Sequence, residues 1–202
     1  MSTDKQTSAD ASDKLARLRE YWRARSGGTR LPARRDIDPV DLPRHLSTIL
    51  LIDGCGSEGI PRRFRFRLIG TGLSRLMPKD PTSRPLDEVL DGAEMAAVGA
   101  LLTPVVEDGA EAMVSGRLVW AGGWSLPADW LFLPLAADGR TVDMILGYAD
   151  FPALPMRLPA GRPRLTFPGA PRGVRGPLVR KVEAGGLWFR GGESRTAALG
   201  AP

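Results

Sequence analysis

GAEMAAVGALLTPVVEDG (residues 92–109), followed by EAMVSGRLVW (111–120), ADWLFLPLA (128–136) and TVDMILGYADF (141–151), is the stretch on which the fold turns. The first piece sets Met95, Val98, Leu101, Leu102, Val105 and Val106 on one helical face, with Pro104 as a candidate kink. The next three are short, apolar and β-prone. Ala121-Gly122-Gly123 and Asp138-Gly139 between them read as turns, so the three form an antiparallel meander.

Toward the N-terminus, RRFRFRLIG (62–70) sets Phe64, Phe66 and Leu68 against Arg63, Arg65 and Arg67, the period of a half-buried strand. STILLIDG (47–54) is a compact apolar run closed by Gly54 and reads as another strand, with GCGSEGIP as a loop after it. Short helical turns are expected in GLSRLM and PLDEVLD. A short helix is expected near Pro39–Leu46, capped by Asp38 with Pro39 at its first position. DKLARLREYWRAR (13–25) is helical, with Leu15, Leu18 and Trp22 as a narrow apolar stripe, Ser12 or Asp13 as cap and Gly27-Gly28 as stop. Two strands, helices and a meander make one antiparallel sheet of five strands with flanking helices on one face, an α+β layout.

Composition narrows the function classes. A chain of 202 residues with 43% hydrophobic content can build one real core. One cysteine, Cys55, and one histidine, His45, exclude an internal disulfide framework and any cysteine- or histidine-rich metal cluster within the chain. No apolar run approaches the ~20 residues of a membrane helix, and the polar start carries no signal core, so the chain reads as soluble and cytoplasmic. The net charge of +5 resides in the tail: residues 155–202 hold nine basic and two acidic side chains, and the preceding 154 hold 19 and 21. The same tail has seven prolines and nine glycines. The organisation expected is a disordered lead at 1–12, a domain at 13–154 and a largely disordered basic tail at 155–202.

YWRARSGGTRLPARRDIDPVDLPRHLSTILLID (21–53) and FRFRLIGTGLSRLM (64–77) resemble a bacterial branch of stand-alone PAS domains, in which an LPxRxDIDPxDL stretch precedes the first strand and an FRxRLxGT strand-turn follows. The resemblance runs in order over about residues 20–152. It implies a five-stranded sheet enclosing a small cavity, and a sensory role. The chain departs from the branch at Pro78-Lys79-Asp80-Pro81-Thr82-Ser83-Arg84-Pro85, where relatives read GRDLTGR and Pro78 and Ser83 replace glycines.

Ile69, Leu73, Leu76, Val98, Leu102, Leu118 and Ile145 are the candidate lining of an apolar ligand cavity. Leu15, Leu18, Trp22, Trp120, Trp124 and Trp130 are candidate interface residues, since tryptophan is enriched at binding hot spots. Core packing is the competing reading for the tryptophans. His45 reads as a helix-surface or capping residue, and Cys55 as a plain loop thiol. Asp36, Asp38 and Asp41 read as turn and cap residues without the pattern of a calcium loop. No catalytic constellation, metal site or cofactor is expected. The function expected is signal transduction through a protein partner, with a homodimer as one candidate and a small-molecule ligand as an addition. Nucleic acid is a less favoured partner, and no membrane span is expected. Two alternatives stay open: a nucleic-acid- or membrane-associated regulator acting through the basic tail, and an enzyme using Asp129 or Asp143 as a base.

Overall fold

The computed structural model describes residues 3–28, 30–55 and 63–167. The helix α1 spans Thr3–Ser26, and the strands β1 and β2 span Ile49–Cys55 and Arg63–Ile69. The short α2 (Thr71–Ser74) and the longer α3 (Gly92–Glu107) follow. Next come β3 (Ala112–Val119), β4 (Ser125–Leu135), β5 (Met144–Asp150) and β6 (Arg164–Thr166). All pairings are antiparallel, in the order β2-β1-β5-β4-β3-β6.

The expected elements form for the reasons read in the sequence. The side chain of Asp91 caps α3 by accepting from the N–H groups of Ala93 and Glu94, and Glu94 returns a bond from Asp91 N–H. Val98, Leu101, Leu102, Val105 and Val106 are its buried apolar face. Asp38 caps a 3₁₀ turn at Pro39–Asp41, so two tight turns, the other at Leu46–Thr48, replace the single short helix expected there. Helix α1 begins at Thr3, ahead of the cap expected at Ser12 or Asp13. No glycine or proline interrupts residues 3–26, so the helix propagates through the polar lead.

The sheet has six strands. The sixth comes from residues assigned by composition to the tail, where β6 pairs with the edge of β3 through Arg117–Thr166, Leu118–Leu165 and Val119–Arg164. Gly116 permits this, because a Cβ there would lie 2.6 Å from the Thr166 carbonyl oxygen and 2.8 Å from the Phe167 ring. Glu94, buried at the start of α3, pins the strap by accepting from Arg162 Nη1 and Nη2 at 2.9 and 2.5 Å and from Leu165 N–H at 2.6 Å. Residues 168–202, and with them most of the basic tail, lie outside the described residues.

Strand β5 is buried at every position from Ile145 to Asp150, and β4 from Trp130 to Leu135, so both sheet faces are covered there. Register separates the two covers. Ile49 pairs with Tyr148, Leu51 with Leu146, and Leu131 and Leu133 with Tyr148 and Leu146, which puts all six on one face. Tyr148 meets the His45 ring on that face and Asp150 meets Lys14, so α1 and the segment before β1 lie there. The opposite face is left to α2, α3 and the 3₁₀ turn at Leu86–Glu88.

Candidate functional site

Helix α1 is held by charge as well as by packing. Leu15, Leu18 and Trp22 are buried, and Trp22 Nε1 donates to the Pro134 carbonyl at 2.9 Å. Glu111, 3% exposed, accepts from Arg19 Nε and Arg23 Nη2, each at 2.6 Å, and from Arg19 Nη2. Burial alone would raise the Glu111 carboxyl. The hydrogen bonds from Arg19 and Arg23 outweigh it and hold the carboxyl below its ordinary value of 4.5.

Farther along the helix, Lys14 Nζ and Tyr148 Oη both donate to Asp150 Oδ1, at 3.2 and 3.1 Å. His45 belongs to this layer. It is buried, its Nε2 lies 3.1 Å from the Lys14 carbonyl, and its ring packs edge-on to Tyr148 at 5.0 Å. The expected surface or capping role is thereby corrected: the turn before β1 swings the imidazole under α1.

Helix α1 covers β4 and β5 on this face but leaves β1 and β2 to the segment 34–48, which is too short to seal them. Between them lies a half-open groove of about 520 Å³. Ile37, Leu42 and Leu46 form one wall, and Ile49, Leu51 and Leu68 the floor and the other wall. Leu46 and Leu68 stand 40% and 38% exposed. Gly70 brings the end of β2 against the opposite wall, since a Cβ there would lie 2.4 Å from the Leu46 carbonyl oxygen. Among the described residues one cation lines the groove. Arg34 donates from Nη1 to the Ile37 carbonyl at 2.9 Å and has no carboxylate in ion-pair range among the described residues. By contrast, the nearby Arg30, Arg25 and Arg65 pair with Asp36, Asp41 and Asp53.

The sequence-derived candidates fall elsewhere. Leu73, Val98, Leu102, Leu118 and Ile145 are closed into the hydrophobic core. Leu76, equally buried, also edges a pocket of about 110 Å³ beside Trp120 and Leu158, and Ile69 borders the groove. Of the six candidate interface residues, Leu15, Leu18, Trp22, Trp120 and Trp130 are buried within the chain itself. Only Trp124, its ring tilted against that of Trp120 at 4.7 Å, keeps an exposed side. The stripe on α1 therefore serves the chain's own sheet. Asp143 is exposed and accepts from Ala137 N–H in a turn, and Asp129 is half-buried on β4. Ser83 holds a left-handed backbone, φ 67°, at the position where a glycine had been replaced.

Arg34, Leu42, Leu46 and Leu68 escaped the sequence reading as a site. The signal for two of them was the apolar spacing of Leu42 and Leu46 with Ile37 within a proline-rich segment, which reads equally well as turn packing. Among the described residues no helix is long and apolar enough to cross a membrane, and no group of three or more His, Cys, Asp or Glu is placed to hold a metal ion.

A family model described as a PAS domain matches residues 11–149. No curated protein matches the chain. Among solved structures, the chain is similar to a Rhodobacter sphaeroides LOV protein at 16% identity and TM-score 0.41, over 58% of this chain and 69% of that one. It is also similar to the PAS domain of a Colwellia psychrerythraea protein at 12% identity and TM-score 0.39, over 56% and 97%. An RNA-binding light-oxygen-voltage receptor matches at 16% identity and TM-score 0.36, over 56% of this chain and 33% of the receptor. At these scores the neighbours add no argument to the topology already described.

Proposed function

Since the matched residues 11–149 make up more than half of its length, the chain belongs to the PAS domain family, and from that premise we propose that it relays a sensory signal through protein contacts at the rim of the α1-face groove. The observation that supports this reading is the pair of exposed leucines, Leu46 and Leu68, flanking a half-open apolar groove on a sheet face otherwise covered. Large apolar side chains gathered beside a concavity mark contact sites more often than scattered ones do. Val40, 81% exposed in the turn that forms one wall, extends the apolar rim. The reading is one of binding, and a second copy of the chain is among its candidate partners.

A photo-crosslinking residue at position 68, and separately at 124, tests it in cells. A discrete adduct from position 68, lost on Leu46→Asp and identified by mass spectrometry as one protein or as a dimer, is the expected result. Adducts from 124 alone would move the contact to the β3–β4 hairpin and refute the assignment.

A further inference from the structure

The groove has a chemistry more definite than an apolar rim, and its occupant follows from it. Its walls are aliphatic: Leu42 and Leu46 face Ile49, Leu51 and Leu68 across the open volume. Such a surface favours an apolar body of similar length. At about 520 Å³ the space falls within the roughly 300–1,000 Å³ of small-molecule sites.

Against this apolar lining stands Arg34. One of its nitrogens is committed to the Ile37 carbonyl, and the remaining donors have no acceptor and no carboxylate among the described residues. A guanidinium held by one bond at an apolar wall is suited to receive a carboxylate through its free N–H groups, because charged, forked hydrogen bonds are the strong ones. Arg30, Arg25 and Arg65 are each answered by an aspartate, and among the described residues Arg34 is the one charged side chain that lines the groove, so it is the groove's own source of charge selectivity. Ser47 and Thr71 are the other polar side chains of the lining, and neither carries a charge.

We infer that the groove binds a free amphipathic acid, a carboxylate on an apolar chain, with its head on Arg34 and its chain along Leu42, Leu46, Ile49, Leu51 and Leu68. This rests on the reading of the groove rim as the contact surface and deepens it. A chain lying between Leu46 and Leu68 alters the surface a partner meets, so occupancy is the sensed variable.

The test uses the full chain and three probes of equal length, each kept below its micelle concentration: dodecanoate, dodecanol and dodecylammonium. Calorimetric titration is expected to give one dodecanoate per chain, bound at least tenfold more tightly than dodecanol, with dodecylammonium weaker still. Arg34→Gln should erase the preference for the acid while leaving dodecanol binding within about twofold. Leu68→Glu should weaken dodecanoate at least tenfold. If Arg34→Gln does not fold, the probe series on the unaltered chain still decides. Equal affinity for acid and alcohol, or no binding of either, overturns the inference. So does sedimentation with phosphatidylglycerol vesicles in place of binding to the free acid, which would assign the surface to a membrane. Because these titrations contain no partner, a null result here beside a position-68 crosslink removes the acid and leaves the contact surface standing. The reverse pattern removes the partner alone.

Discussion

Replacing Glu111 by alanine tests how α1 is fastened. The carboxylate is 3% exposed and takes every hydrogen bond from two arginines of α1, whose side chains are 26% and 39% exposed. Breaking a buried ion pair by removing one partner costs about 3–5 kcal/mol, because the other charge is left uncompensated. Here the arginines already reach water and can rehydrate, so the lower end, about 3 kcal/mol, is expected. For a domain of this size each kcal/mol moves the melting temperature by about 2–4 °C, so Glu111→Ala should melt roughly 6–12 °C lower. Differential scanning calorimetry at pH 7 reads this, and tryptic cleavage within α1 should accelerate in parallel.

The sign of the pH dependence follows from the depressed Glu111 carboxyl. Its stabilising contribution is complete above the ordinary value of 4.5 and is lost as pH falls through the lower folded value. The gap between unaltered chain and variant should therefore close on acidification below 4.5. A variant that melts within a degree or two of the unaltered chain at pH 7, with α1 equally protected, would refute the reasoning, since α1 would then be held by Leu15, Leu18 and Trp22 alone.

Two further perturbations address the backbone. Gly116→Ala places a methyl group into the Thr166 carbonyl and the Phe167 ring, and should cost about 1–3 kcal/mol by overpacking. Hydrogen exchange should rise at Arg117, Val119 and Thr166, whose N–H groups face across the β3–β6 pair, while β1 and β5 stay protected; unchanged exchange there would mean that β6 is not held against β3. Ser83→Gly removes a left-handed strain of roughly 1–2 kcal/mol and adds back roughly 0.5–1 kcal/mol of unfolded-chain entropy. A melting temperature raised by a degree or two is expected, and a lower one would show that the Ser83 side chain contributes more than its backbone costs.

The strands and α3 were legible because period and turn chemistry are local properties: Phe64 and Phe66 alternate with arginines and are buried, and Asp138-Gly139 breaks the meander where it turns. Leu68, expected on the same buried face, is instead turned out to the groove by the register irregularity between Leu51 and Ile52. The capping box at Asp91 and Glu94 was equally present in the sequence, but not the second duty of Glu94, which depends on Arg162 sixty-eight residues away. A stripe such as Leu15, Leu18 and Trp22 announces that a face is buried without naming what buries it. The structure answers with Pro134 and β4–β5 rather than with a partner. The groove was hidden for a related reason. Its lining joins residues 34–51 to Leu68 and Leu146, and concavity exists only once those segments meet.

Strap β6 also marks the edge of the sheet opposite the groove. Phe167 lies beside β3, whereas the groove lies at β1 and β2, on the far side of β5 and β4. At ~4.8 Å per strand, five steps separate β6 from β2 by about 24 Å across a flat sheet and by less across a curled one. A dye pair at exposed Arg164 and at exposed Arg67, outside the groove lining on β2, would thus span the whole width, and its energy transfer would report any flattening of the sheet when the groove fills.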